Sequence, residues 1–388
     1  MKKKGENGMK RHLFSIIAIL AALVILAGCA VNEVEVEPTE TPISTPEPTP
    51  EAEPALAVCM NVLDHPIHRE VQLGFLDGCK ELGYDDVSII GAVEGDQAKQ
   101  LDMALEWAKS VEGRPAAMLL WNGDHNSDEL CEKLDEMGVY VGIPHFKILV
   151  DDDDKGAEQK SGDVFGEVEL PAGITFELPL GTWRTGAKIA EHMAKSLDGK
   201  SGKIATVATV LSSTMNEKLI GFEERFNQLK KDGPYDLSGV ELLESRAEIG
   251  VKDVYIDILK ENRDIIGMYI EVPDSVNYMI EACRERGIDP AQIYIATCDL
   301  TEKNMPLTEG GEVDLFANMP LYQEGYKCAE NFDKLFRGEK VPKFEYIEAE
   351  YLTEETADEL LSKYKELFER TKDDEFFEEY KAKEFIEE

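Results

Sequence analysis

Positive charge is what this chain of 388 residues is short of: 41 Lys and Arg stand against 79 Asp and Glu, a formal net charge of −38. A body so acidic repels phosphate backbones and anionic headgroups, which excludes nucleic acid as a partner. Cysteine is sparse and never closely spaced, so no CxxC or Cys/His zinc pattern exists. No G-x-S-x-G elbow, HExxH or phosphate-cradling Gly-Lys-Ser/Thr loop is present, and "GKSGK" at 199–203 precedes a strand instead of following one. Ser212-Ser213-Thr214 stands at a strand end, but no base is specified beside it. An enzyme is therefore not expected, and neither is a cofactor. A long spanning segment is missing too. The longest apolar run, Leu13 to Leu26, has 14 residues, against the roughly 20 a transmembrane helix needs.

That run has a different meaning in context. Lys2, Lys3, Lys4, Lys10 and Arg11 precede it and Leu26-Ala27-Gly28-Cys29 follows. A basic start, an apolar stretch and small residues before a cysteine describe an export signal of the lipoprotein kind, residues 1–28, with Cys29 as the lipidated first residue of the mature chain. Residues 1–28 carry five positive charges and one negative, so the chain without them stands at −42. Residues 29–56 are dominated by Pro, Glu and Thr, a self-repelling extended tether with little to build a core. The expectation is a globular body held at the outer face of a membrane by lipid.

The body alternates apolar strands with amphipathic helices. "ALAVCMNVL" (55–63) precedes Val71, Phe75, Cys79 and Leu82 at helical spacing, and strands at 86–93, 116–122 and 139–144 continue the series. A second series starts at "GKIATVATV" (202–210), leads into Leu219, Phe222, Phe226 and Leu229, and goes on through "DIIGMYIEV" (264–272) and "QIYIATCD" (292–299). Uninterrupted apolar strands between helices of 3.6 period indicate parallel sheets covered on both faces. The fold class expected is α/β, two doubly wound parallel-sheet lobes joined by a hinge. The first lobe takes 57–179 and 319–344, the second 180–318 and 345–357, and a charged helical tail, 358–388, docks along one lobe. Between the series, 147–171 is an acidic insertion. Its "DDDD" fails the calcium-loop spacing because Lys155 takes a ligand position. Cys79, Cys131, Cys283 and Cys328 fall on apolar helix faces and read as small buried hydrophobes, not as disulfide halves.

Several stretches resemble the ribose- and galactose-type (type I) substrate-binding proteins of bacterial ABC transporters over about residues 57 to 355. "HREVQLGFLDGCKELGY" (68–84) resembles that family's first helix and "EKLIGFEERF" (217–226) its second-lobe Gly-Phe helix. "KLDEMGVYVGIP" (133–144), "IEVPDSVNYMIEACRERG" (270–287), "ATCD" (296–299) and "LFRGEKVPK" (335–343) follow in family order. The resemblance implies a monomer that captures a small polar solute, a sugar, in the cleft and passes it to an ABC permease. It implies ligand contacts from Asp64, His65 and His68 in the first-strand loop, Asn122 and Asp124 in the third, and His145, Phe146 and Lys147 in the fourth. In the second lobe it implies Asn216, Asp274, Asp299 and Asn318, with Trp183 as an aromatic cover. Trp121 is a further aromatic candidate, with core packing as its plainer reading. Pro273-Asp274 replaces the family's Asn-Asp pair, Asn216 stands where Arg is frequent, and the stretch from Asn318 to Gly325 is one residue longer, so a standard pentose or hexose site is altered.

Four of the five histidines beyond the signal, His65, His68, His125 and His145, sit at ends of first-lobe strands. Hydrogen bonding to an organic solute is the preferred reading of them. Metal binding by His65, His68 and His145 and plain loop positions are the alternatives. A ligand-sensing lipoprotein docked on a membrane receptor is the alternative to transport.

Overall fold

The computed structural model describes residues 52–388 apart from 94, 122–127, 146–163, 166–169, 209–212, 247–250 and 388. Cys29, Asn122, Asp124, His125, Phe146 and Lys147 lie outside the described residues, as does most of the acidic insertion. Two sheets carry the chain. The first is built on β1 (Ala55–Met60), β2 (Val87–Ala92), β3 (Ala116–Leu120), β4 (Val139–His145) and β6 (Phe176–Pro179), with short β5 (Val164–Phe165) and β12 (Phe344–Glu345) at one edge. The second holds β7 (Gly202–Val207), β8 (Val240–Leu242), β9 (Ile265–Ile270), β10 (Tyr294–Cys298), β11 (Leu315–Asn318) and β13 (Glu350–Leu352). Within each sheet the principal strands pair in parallel. Every residue of β1 and β3 is buried, as two-sided coverage requires.

The strand orders place the site. In the first sheet the order β2-β1-β3-β4 reverses between β1 and β3, and in the second β8-β7-β9-β10 reverses between β7 and β9. Ligands in such sheets sit beyond the carboxyl ends of the strands at that reversal.

The resemblance in the Gly-Phe helices has a steric cause. Helix α1 (Pro66–Glu81) crosses the helix spanning Leu321–Phe336 so closely that a Cβ on Gly74 would stand 1.8 Å from the Tyr322 carbonyl oxygen. A Cβ on Gly325 would meet the Val71 carbonyl at 2.0 Å. Beside these glycines Phe75 fills the core. Gly186 and Gly221 play the same part in the second lobe, where the helix Thr182–Ser196 packs on Ser213–Asp232. With the helices in chain order, α2 (Gln97–Ser110), α3 (Asp128–Glu136), α4 (Thr182–Ser196), α5 (Ser213–Asp232), α6 (Lys252–Glu261), α7 (Ser275–Glu285), α8 (Met305–Glu309) and α9 (Leu321–Phe336) complete the two layers. All six body cysteines are free and buried.

The tail departs from expectation. Helices α10 (Ala357–Thr371) and α11 (Asp374–Tyr380) form, but Lys381–Glu387 is a strand, β14, paired in parallel with β2. An edge strand offers unpaired backbone groups, and β14 covers them. Nor does the tail dock on one lobe. Arg370 binds Asp77 on α1 at 2.8 Å, while Tyr364 and Lys363 bind Glu350 on β13 at 2.6 and 2.7 Å, and Lys365 pairs with Glu309 on α8. Its apolar face, Leu361, Tyr364, Leu367 and Phe368, joins the core that runs through both lobes.

Candidate functional site

The loop after β1 leads straight into α1, with Pro66 at its first position, where a missing N–H costs nothing. His65 precedes it as an exposed cap residue without a side-chain capping bond. One turn on, His68 is buried, and its Nδ1 lies 2.6 Å from the Val62 carbonyl. A carbonyl only accepts, so Nδ1 carries the proton. Burial lowers the His68 pKa to about 4, against the Val62 bond and with His65 and His145 adding to the drop, so the ring is neutral at physiological pH.

The rings form a continuous wall. His65 lies 5.2 Å from His68, His68 4.7 Å from Trp121, and Trp121 stacks on His145 at 5.1 Å with 16° between planes. Trp121 is buried in the core, face to face with His145 and tilted by 56° against His68. His145 ends β4 with φ at 69°, and its Nδ1 reaches Oε1 of the buried Glu324 on α9 at 3.3 Å. Among the described residues no three or more His, Cys, Asp or Glu are arranged to hold a metal ion.

Beside this wall a cavity of about 440 Å³ opens between the lobes, a size that suits a small ligand. Asp64, Ile67 and Glu70 line it from the first lobe, Asp274, Asp299 and Leu300 from the second, and Phe368 and Thr371 of α10 with Lys372 just after it close one side. Asn318 and Met319 border it where the chain crosses between lobes.

The expected residues differ in how free they are. Asp64 accepts from Arg69 at 2.8 Å and Lys381 at 3.2 Å. Burial raises its pKa, but those two cations outweigh that and lower it. Asp274 accepts from Thr301 and Lys303 at 2.8 and 3.0 Å. Asn318 spends its amide on the Leu300 N–H and the Met319 carbonyl. Trp183, on α4, donates to Glu224 of α5 at 3.0 Å, and Asn216 is exposed on α5. Asp299 stands apart. It follows β10 in the left-handed region, φ 53°, which Asp tolerates better than most residues. Its Oδ1 is buried without a hydrogen-bond partner. Burial raises its pKa, opposed by Lys218, His145 and a hydrogen bond that the carboxyl accepts from the Met319 backbone.

Three charged residues of this region escaped the sequence reading. Glu70 is buried against the cavity and has no hydrogen bond or ion pair with a described residue. Its pKa is pushed up to about 8 by burial, with Asp299 and Glu324 adding and Lys363 opposing. Lys218 is buried on α5, where burial opposes its charge but Cys298, Asp299 and Glu271 raise its pKa. Glu324 is the third. A signal existed for each. Glu70 shares a helix face with Gly74 and Gly78, Lys218 with Phe222 and Phe226, and Glu324 with Leu321 and Cys328, all positions that pack. A buried carboxyl pair with apolar neighbours can accept from hydroxyls or ammonium groups.

No family model matches the sequence, and no curated protein does. Solved structures do. The sugar-binding protein of a sugar ABC transporter from Bacillus halodurans aligns at 16% identity and TM-score 0.61, over 80% of this chain and 99% of its own. The arabinose-binding protein from Geobacillus stearothermophilus aligns at 16% identity and TM-score 0.61, over 80% and 99%. A periplasmic ribose ABC transporter protein from Conexibacter woesei aligns at 18% and 0.61, over 80% and 95%. At these identities the likeness is one of fold, and the chain has the two-lobed fold of type I periplasmic sugar-binding proteins.

Proposed function

We propose that this chain is an extracytoplasmic solute-binding protein, anchored by a lipid on Cys29, that captures a small polar solute, a sugar, between its lobes and hands it to an ABC permease. The carrying observation is the 440 Å³ cavity walled by the first lobe's α1 and the second lobe's post-strand loops. Such an opening between hinged lobes suits capture by closure. The sugar-binding solved structures support the same reading. Carboxylates and amides match hydroxyls, which donate and accept at once, and Ile67, Leu300 and Phe368 on the cavity wall suit the C–H side of a sugar ring. No helix among the described residues is long and apolar enough to cross a membrane. The role is binding, without chemistry on the solute.

The test is a thermal-shift series on the full chain in detergent with pentoses and hexoses. A ligand that binds only the native state stabilises it by RT ln(1 + [L]/Kd), about 2.7 kcal/mol at a hundredfold excess over Kd, and so raises the melting temperature. Saturable stabilisation by at least one sugar is expected. If no sugar shifts the transition, the reading falls.

A further inference from the structure

We propose that the cavity selects a solute carrying a protonated amine, an amino sugar or similar small polyhydroxyl amine, seated between Glu70 of the first lobe and Asp299 of the second. This deepens the solute-binding reading and rests on it.

The argument starts from what is left over when the charges are paired. Each cation that lines the cavity is engaged elsewhere. Arg69 binds Asp64, Asp374 and the Thr371 carbonyl, Lys303 binds Asp274, and Lys372 binds Glu302 and Glu369. Glu70, 8% exposed, faces the cavity and makes no hydrogen bond or ion pair with a described residue. Across from it the buried Oδ1 of Asp299 has no hydrogen-bond partner among the described residues. Lys218 offsets Asp299 from within its own lobe, but the cation acting on Glu70, Lys363, is itself bound to both oxygens of Glu350 at 2.7 and 2.9 Å. The Glu70 carboxyl, with no cation bound to it among the described residues, thus faces Asp299, which Lys218, His145 and the Met319 N–H offset, at the point where the two lobes meet.

A neutral hydroxyl cannot compensate a buried carboxylate. It supplies a hydrogen bond and leaves the charge in a poor dielectric, whereas an ammonium supplies both bond and charge. Ile67, Leu300 and Phe368 give the remaining wall an apolar character that suits the carbon face of such a solute. The groups facing Glu70 are Asp299 after β10, Glu324 on α9 and Lys363 on α10, and together with burial they hold its pKa at about 8. At pH 7 the empty site therefore holds a proton on Glu70, and a cationic solute expels it on binding. A neutral sugar leaves the proton in place. The two cases differ in a measurable quantity.

The experiment is isothermal titration of the full chain in detergent at pH 7, in phosphate and in HEPES. The probes are D-glucosamine against D-glucose, D-galactosamine against D-galactose, and Tris as a polyhydroxyl amine that is not a sugar. The amino sugar should bind about tenfold or more tightly than its hydroxyl counterpart. The difference in heat between buffers should report proton release for the amine alone. Glu70→Gln should abolish both the preference and the proton release while its melting temperature does not fall. Asp299→Asn, which tolerates the same backbone conformation, should weaken the preference independently. Neutral sugars binding as well as their amines overturn this inference and leave the sugar reading standing. An amine preference untouched by Glu70→Gln overturns the assigned contact. Tris binding that depends on Glu70 while every sugar fails sustains the cation site and overturns the sugar reading. Failure of every probe overturns both.

Discussion

His68 and Glu70 stand two residues apart on the first turns of α1, 7% and 8% exposed. His68 gives its Nδ1 proton to the Val62 carbonyl, lies against Trp121, and stays neutral with a pKa lowered to about 4 by burial. Glu70 has no such partner and burial pushes its carboxyl the other way, up to about 8. Equal burial has opposite consequences. A buried polar group that is satisfied is part of the architecture, whereas one left unsatisfied costs stability and needs a reason. The ring wall of His65, His68, Trp121 and His145 is a surface already assembled, while Glu70 on the cavity makes no hydrogen bond with a described residue.

Removing the plate that joins the rings breaks the first half of this contrast. Trp121→Ala deletes a buried side chain from the core and separates His68 from His145. Buried Trp-to-Ala changes cost about 3–5 kcal/mol, and a drop of that size in urea unfolding free energy is expected. A loss near zero would mean that the wall is not structural.

The second half is probed by pH. The unfolded carboxyl titrates near its ordinary value of 4.5 and the folded Glu70 at about 8, so between these the native state holds the extra proton. Stability from this group is whole below about 4.5 and falls as pH rises to about 8. Glu70→Gln removes the penalty and should stabilise the empty chain by about 3 kcal/mol at pH 7 and by nothing near pH 4. His68, lowered from 6.5 to about 4, tilts oppositely, with stability lost as pH falls through that window. Urea melts of wild type and variant at both pH values check this, and a gain that does not grow with pH defeats it.

Much of the fold was legible because parallel strands buried on both faces must be apolar runs, and because the Gly-Phe helices need Gly74 and Gly221 where backbones touch. The tail strand was not. "KAKEFIE" (381–387) has no apolar run, and what recruits it is the open backbone edge of β2, a property of the fold rather than of the segment. The site was legible by position alone. Asp64 drew notice as a loop carboxylate, but one of its partners, Lys381, is 317 residues away and invisible from the loop. Glu70 hid beside Arg69 as an ordinary charged helix pair, and only the crossing of α1 and α9 turns it inward.

Asp64 and Glu70 therefore make the finest form of the comparison, since both are carboxyls on the cavity wall and only one is paired. Asp64 accepts from Arg69 and Lys381, which hold its pKa below the usual 3.8 despite some burial. A depressed folded pKa contributes stability above the unfolded value and loses it as pH falls through the folded one. Asp64→Asn should therefore destabilise at neutral pH, the opposite sign to Glu70→Gln. Asp64 is 46% exposed, so water and salt screen the pairs and the effect should be about 0.5 kcal/mol, fading as ionic strength rises. The same urea melts at low and high salt measure it. A stabilisation on replacing Asp64 would show that its two cations do not compensate it, and the distinction between the paired and the unpaired carboxyl would fail.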